Sequence, residues 1–137
     1  MAATHSAPIP VRRSTLSPTM ILIAGWLVPG LGHLLLKKPV RAALLFVSVL
    51  AMFAIGVLLH GKVYSPTTGD PLDLLGFVGQ LGAAGPYLVA RLLDVGASAL
   101  SNTLSDYGTK FAVVAGLLNV MAAVDAQSLA NGRKAGL

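Results

Sequence analysis

The sequence predicts an all-α integral membrane protein in which four hydrophobic helices form a bundle. Of its 137 residues, 55% are hydrophobic and only 11% are charged, and the mean hydropathy is +0.76. Ordinary soluble domains carry about 25% charged residues. A chain of this size would expose more surface than so few polar residues could cover, so we expect lipid to cover the rest.

The chain begins with a polar tail, residues 1–17, in which Arg12 and Arg13 precede the first apolar run. This order of residues also opens secretory signals. No small-residue cleavage site follows the apolar run, and three further hydrophobic segments come after it. We therefore expect an uncleaved membrane anchor, followed by a single transmembrane domain over residues 18–132.

Segment A, residues 18–36, starts well as a helix because Ser17 can cap it and Pro18 suits a first turn. Pro29, Gly30 and Gly32 interrupt its middle, which predicts a kink or an unwound, re-entrant turn. Four full crossings would divide the ten Lys and Arg residues five to five between the two membrane faces. A re-entrant segment A divides them seven to three, which suits the positive-inside rule better. Both arrangements remain open.

Segment B, residues 40–60, contains 18 uncharged residues from Ala42 to Leu59. At about 1.5 Å per residue this run covers about 27 Å, enough for a transmembrane helix. The next residues, Gly61 to Asp73, are rich in Ser, Pro, Gly and Asp, which predicts an ordered external loop.

Segment C, residues 73–94, is rich in glycine. Small residues such as Gly79, Gly82 and Ala83 let neighbouring backbones approach closely in lipid, so we predict one helix that packs against its neighbours. The semi-polar stretch from Val95 to Gly108 has the loose apolar spacing of an interfacial helix. Segment D follows over residues 109–131, and residues 133–137 form a basic C-terminal tail.

Asn119 and Gln80 are the polar residues expected deepest in the membrane. At about 1.5 Å per residue, Asn119 lies about 13 Å from Lys110 and Gln80 about 16 Å from Arg91. Because these depths agree within one helical turn, we predict a hydrogen bond between the two amides across segments C and D.

Histidine is the residue type here that best suits a cofactor. His33 lies near one end of segment A, whereas His60 lies about 30 Å from Arg41, at the far end of segment B. The two cannot hold one haem together, but either can serve as the single axial ligand of a pigment or haem. The alternative is a histidine that lies at the interface or satisfies the backbone.

No other catalytic or metal-binding pattern stands out. Cysteine is absent, which excludes disulfides and thiolate chemistry. No carboxylate pair, Ser-His-Asp set or phosphate-binding glycine loop is visible, so we expect a protein that is not an enzyme. The basic residues are scattered between apolar runs, which argues against nucleic acid as a partner.

The stretch Trp26-Leu-Val-Pro29-Gly30-Leu-Gly32-His33, followed by two lysines and an apolar helix, resembles an uncharacterised family of small bacterial polytopic membrane proteins. Its Pro-Gly-x-Gly-His core is also distantly similar to the two-helix TM-two-type membrane domain, although Leu34-Leu35 stands where that pattern has an aromatic residue near a glycine. Further similar stretches run from Gly79 to Arg91 and from Tyr107 to Asp125. The resemblance implies a membrane fold and no particular activity.

These patterns favour a non-catalytic protein of the cell inner membrane that crosses it several times and works by helix packing. We expect an accessory or structural subunit of a bioenergetic complex, photosynthetic or respiratory, or of a secretory one, with lipid and other transmembrane subunits as partners. The alternatives are a pigment- or haem-binding subunit and a small oligomeric channel or transporter in which Gln80, Asn119 and Asp125 share a wet cavity. The residues expected at the lipid interface are Arg12, Arg13, Trp26, Lys37, Lys38, Arg41, Arg133 and Lys134.

Overall fold

The structure, a computed structural model, describes residues 15–67, 69–96 and 102–133. All regular elements in these ranges are helices. In chain order they are α1 (Pro18–Leu27), α2 (Leu31–Leu35), α3 (Pro39–Leu58), α4 (Pro71–Leu81), α5 (Ala84–Leu92) and α6 (Thr103–Ala130). The prediction of an all-α fold is confirmed for this part of the chain.

Among the described residues, two helices are long and apolar enough to cross a membrane, namely α3 with 20 residues and α6 with 28. Segment B is therefore confirmed as α3, almost residue for residue. Segment D begins six residues earlier than predicted, because the Asn102 side chain accepts a hydrogen bond from the Ser105 amide and starts α6 there. The separate interfacial helix predicted up to Gly108 is wrong for residues 103–108; residues 97–101 lie outside the described ranges.

Segment A forms a helical hairpin. Helix α1 ends at Leu27, Gly30 adopts a positive φ of 78°, and the short α2 packs back along α1. A Cβ on Gly32 would lie 3.1 Å from the carbonyl oxygen of Ile21, which is eleven residues earlier. Leu16, just before α1, and Leu36, just after α2, both pack against one buried cluster that includes Ile21. The chain thus returns to the end at which it entered, as in the re-entrant alternative.

The prediction of a single helix over segment C is wrong. The helices α4 and α5 are separated by Gly82 and Ala83 and are bent by 112° relative to each other. A proline explains part of this bend, because Pro86 has no amide hydrogen to donate to the carbonyl of Gly82, as a continuous helix would require. After α5, the amide of Val63 donates to Gly96 at 3.4 Å, so the chain comes back beside the loop from which α4 started.

Helix α6 is the centre of the molecule and contacts α1, α2, α3 and α4. Its buried residues are almost all small and recur every three or four positions: Ser105, Gly108, Ala112, Ala115, Gly116, Asn119, Ala122, Ala123, Ala126 and Ala130. Helix α3 crosses it where Gly56 meets Gly108, and α4 crosses it where Gly79 and Gly82 meet Gly116. Small residues at these crossings allow the backbones to touch.

The charged residues are divided unequally between the two ends of the bundle, with Asp125 the one aspartate of the described residues near the basic end. The basic end holds Lys37, Lys38, Arg41 and Arg133, where α2 ends, α3 starts and α6 ends. The acidic end holds Asp70, Asp73, Asp94 and Asp106, where α4 starts, α5 ends and α6 starts. Three basic residues, Lys62, Arg91 and Lys110, accompany the aspartates.

Substitution of Gly116 by alanine tests the crossing of α4 and α6. The new Cβ would overlap the carbonyl oxygen of Gly79. Because the obstacle is backbone, we expect Gly116→Ala to lower the free energy of unfolding by at least the ~1–3 kcal/mol typical of overpacking. Unfolding of the purified protein in a mild detergent, followed by circular dichroism, measures this loss. Gly69→Ala is the matched control, since a Cβ on Gly69 meets no atom within 4 Å; equal stability of the two variants would contradict the crossing.

Candidate functional site

The inner ends of two broken helices meet at one asparagine of α6. The amide nitrogen Nδ2 of Asn119 donates to the carbonyl of Trp26 at 2.9 Å and to the carbonyl of Gly82 at 3.0 Å. The indole Nε1 of Trp26 donates to the carbonyl of Leu81 at 2.9 Å. We call these four residues, Trp26, Leu81, Gly82 and Asn119, the central junction.

The junction supplies the hydrogen bonds that the helix breaks remove. A helix leaves its last four carbonyls without amide partners, and a buried carbonyl without a donor costs free energy. Trp26 lies in the last turn of α1, Leu81 ends α4, and the proline at position 86 deprives Gly82 of its helical donor. The side chains of Asn119 and Trp26 replace those donors, so the two breaks become compatible with an apolar interior.

Asn119 is fully buried, with 0% of its surface exposed. Both of its hydrogen bonds use Nδ2, and its oxygen Oδ1 has no donor within the described part of the chain. The amide is thus oriented by two carbonyls that both require a donor. This one-sided use of the side chain shows that its role in the structure is to donate.

Gln80 is also fully buried, yet it binds a different part of the protein. Its Nε2 donates to the carbonyl of Lys62 at 2.7 Å, and its Oε1 accepts from the amide of Tyr64 at 2.9 Å. The predicted hydrogen bond between Gln80 and Asn119 is therefore wrong. Each amide instead satisfies backbone that is not helical: Gln80 holds the loop after α3, and Asn119 holds the helix breaks.

The loop fastened by Gln80 closes the acidic end. The backbone amide of Lys62 donates to Oγ1 of Thr109 at 2.8 Å. The side-chain ammonium group of Lys62 forms an ion pair with the Asp73 carboxylate at 2.5 Å. The Tyr87 hydroxyl donates to the carbonyl of Tyr64 at 2.8 Å. Burial, followed by the nearby Asp73 carboxylate, raises the pKa of Tyr64 above its usual value of 10.0. The prediction of a loop up to Asp73 is wrong for its last residues, because the Asp70 side chain accepts a hydrogen bond from the Leu72 amide and α4 starts at Pro71. The loop backbone between Lys62 and Tyr64 is bound on several sides.

The two candidate cofactor ligands lie at opposite ends of the bundle. His33 is buried in α2, and its Nε2 lies 3.2 Å from Oδ2 of Asp125 on α6. His60 is exposed just after α3 and has a positive φ of 59°. Its carbonyl accepts a hydrogen bond from the Ser105 hydroxyl at 2.8 Å. Within the described residues, no three His, Cys, Asp or Glu side chains group as a metal site would require.

The glycines predicted to matter for structure lie at close approaches. A Cβ on Gly30 would run into the carbonyl of Ala42 in α3, besides being strained by the positive φ. A Cβ on Gly32 would lie 2.8 Å from the Cβ of Ala126. Gly79 faces the side chain of Val113, and Ala83 is fully buried. Pro29 lies in the turn between α1 and α2.

Among the residues predicted at the lipid interface, Lys37, Lys38, Arg41 and Arg133 lie at the basic end. Trp26 instead lies at the inner end of α1, with 37% of its surface exposed. Arg12, Arg13 and Lys134 lie outside the described ranges. The participation of Trp26 in the junction was not foreseen, because an aromatic residue near a helix end usually indicates an interface.

The fold and the junction together define a class: in the described residues, an all-α protein with two apolar helices that can span a membrane and pack against each other, and two bent helical pairs packed beside them. More specifically, the chain belongs to a family of unknown function, designated DUF6677, whose family model matches residues 20–135. The matched region includes every helix except the first residues of α1. Comparisons with curated proteins and with solved structures give no match.

Replacement of Asn119 by alanine tests the central junction. The change removes two donors and leaves the carbonyls of Trp26 and Gly82 buried without partners, which costs about 1–3 kcal/mol for each group. We therefore expect a loss of about 2 kcal/mol or more in the free energy of unfolding, measured in a mild detergent. Asn131→Ala is the control, because Asn131 is exposed at the end of α6 and a surface change usually costs less than about 0.5 kcal/mol. A loss no greater than that of the control would show that the junction contributes nothing.

Proposed function

We propose that the chain is a non-catalytic protein of a bacterial inner membrane that acts by helix packing, as an accessory or structural subunit of a larger membrane complex. One observation supports this most directly: Gln80 and Asn119, the two fully buried amide side chains, are bound to the protein's own backbone. The buried amide groups therefore stabilise the fold. What remains for function is the outer surface.

That outer surface is apolar along the length of both long helices. On α3, Val40, Val47 and Leu58 are 72%, 63% and 75% exposed. On α6, Leu117 and Met121 are 53% and 69% exposed. Side chains of this kind pack against lipid or against the helices of another subunit, and they offer no polar group for chemistry.

The geometry favours neither alternative function. The Nε2 of His33, one of the two atoms with which it would bind a haem or pigment, faces Asp125, and His60 is exposed at the other end of the bundle. The three residues required by a channel, Gln80, Asn119 and Asp125, each bind a different partner. A shared polar lining, which conduction would need, is not formed among them.

We further propose that the basic end faces the cytoplasm. With only α3 and α6 as full crossings, seven of the ten Lys and Arg residues flank the basic end in sequence: Arg12, Arg13, Lys37, Lys38, Arg41, Arg133 and Lys134. The other three accompany the aspartates of the acidic end. An excess of this size is typical of cytoplasmic loops.

This topology can be tested by cysteine labelling, since the natural chain has no cysteine. Thr67 and Arg133 are both exposed and lie at opposite ends of the bundle. We expect a membrane-impermeant maleimide to label Thr67→Cys in cells whose outer membrane has been made permeable, and to label Arg133→Cys only after the inner membrane is disrupted.

The same pair distinguishes the competing topologies. Four full crossings place residues 67 and 133 on the same face, and so do three crossings with only segment A re-entrant. Equal accessibility of the two cysteines would therefore contradict the arrangement with two crossings and two hairpins. Detergent-solubilised protein, in which both cysteines should react, controls for buried or unreactive thiols.

The role as a subunit requires a separate experiment. A tagged copy expressed at native level and purified from its own membranes in a mild detergent should elute with other membrane proteins in a fixed ratio. Competition with an excess of untagged chain should displace the tagged copy and lower the yield of those proteins, since specific association is saturable. Elution as a monomer alone, under conditions that preserve the fold, would overturn this proposal.

A further inference from the structure

A long apolar groove lies on the outside of the bundle near the acidic end, and a smaller one lies on the other side of the turn at Val28–Pro29. One wall of the long groove is α3, from Phe46 to Leu58, and the other is α5, from Gly85 to Leu93. The turn at Leu27–Pro29 closes its deep end. The groove encloses about 510 Å³, and every residue that lines it is apolar.

The groove is open on its outer side. Phe46 and Leu50 are 41% and 40% exposed, and Val89 and Leu93 are 55% and 68% exposed, although all four line it. The side chains of α3 and α5 do not fill the space between the two helices. A side chain so exposed would be unfavourable in water, but in a membrane the groove is accessible to hydrocarbon.

The length of the groove matches one leaflet of a bilayer. From Phe46 to Leu58 the α3 wall rises by about 18 Å at about 1.5 Å per residue. One leaflet contributes about 15 Å to a hydrocarbon core of about 30 Å. The groove therefore extends from the acidic end to just past the middle of the proposed membrane.

The length of the groove suits a hydrocarbon chain better than a helix. A transmembrane helix of a partner, or of a second copy of this chain, extends through both leaflets, whereas the turn at Leu27–Pro29 interrupts the groove near the middle of the proposed membrane. A thin, flexible, apolar chain that spans one leaflet fits this length.

We infer that this groove binds one hydrocarbon chain of a membrane lipid from the leaflet at the acidic end. The chain enters beside Leu58 and Leu93, and its terminal methyl group lies against Leu27 and Pro29. A lipid held there fills the space between α3 and α5, which have few other contacts with each other, and so joins the bent pair of α4 and α5 to α3. This inference rests on the proposed membrane location but not on the subunit role.

Photolabelling of the protein in lipid vesicles tests the inference. The vesicles contain phosphatidylcholine and phosphatidylglycerol, with a trace of phosphatidylcholine that carries a diazirine either near the carboxyl group or near the methyl end of one chain. Mass spectrometry of the irradiated protein should show methyl-end adducts at Leu27–Pro29 and Phe46. Adducts from the probe near the carboxyl group should appear at Leu58 and Leu93.

A matched pair of variants on α3 shows whether the adducts depend on the groove. Ala54 is exposed and lines the groove, so Ala54→Phe fills it; Ala51 is exposed on the same helix but lies outside it. If filling costs the bound chain ~1.4 kcal/mol, within the range for overpacking, the adducts at Leu27–Pro29 should fall about tenfold in Ala54→Phe. They should be unchanged in Ala51→Phe.

Labelling that is uniform along α3, or that persists in Ala54→Phe, would overturn the inference. So would a dimer of the Ala54→Cys variant joined by a bifunctional maleimide, because such a dimer would place a second copy of the chain at the groove in place of lipid. Extraction of the vesicles with alkaline carbonate separates this failure from that of the proposed location. A chain that is released by carbonate is not embedded in the membrane, whereas a chain that resists extraction and shows no groove adducts refutes only the lipid site.

Discussion

The structure depends on the two hydrogen bonds that Nδ2 of Asn119 donates to the carbonyls of Trp26 and Gly82. A chain can turn back inside an apolar medium only if other groups bind the backbone left unpaired at the turn. Here two such turns approach the same side chain, one from each end of the bundle. A single donor group satisfies both, and the indole of Trp26 adds a third bond to Leu81. The two bent pairs, α1 with α2 and α4 with α5, consequently stabilise each other. Both share Asn119 as a donor, and Trp26 of the first pair donates to Leu81 of the second.

This arrangement explains why the buried face of α6 consists of small residues. Asn119 reaches both carbonyls only if α1 and α4 lie against α6 almost backbone to backbone. The contacts of Gly116 with Gly79 and of Ala123 with Gly25 bring the helices that close. Larger side chains would move the helices apart and lengthen the bonds beyond useful range. The hydrophobic effect cannot hold such helices together in lipid, so close packing and the junction have to do so.

The sequence predicted the parts of this fold whose signals are local. Segment B has no interruption, and Pro29 with Gly30 marks a break wherever it occurs, so both features were recognised. Asn119 was recognised as a deep polar residue, but its partners were not, because they are backbone carbonyls that become available only when the helices bend. The bend in segment C was missed because its glycines were interpreted as packing positions of one helix, whereas Gly82 and Pro86 mark the break. The small residues at every third or fourth position of α6, by contrast, were visible in the sequence and would have identified the central helix.

The two hairpins also account for the distribution of charge. A segment that turns back returns its flanking residues to the end from which it came, so Lys37 and Lys38 follow α2 at the same end at which α1 begins. The same geometry brings Asp94, after α5, beside the loop that precedes α4. Had both segments crossed, the basic residues would be divided evenly and the ends would be alike. Because both turn back, one end becomes basic and the other acidic, and this asymmetry is the physical basis on which a membrane inserts a protein in one orientation.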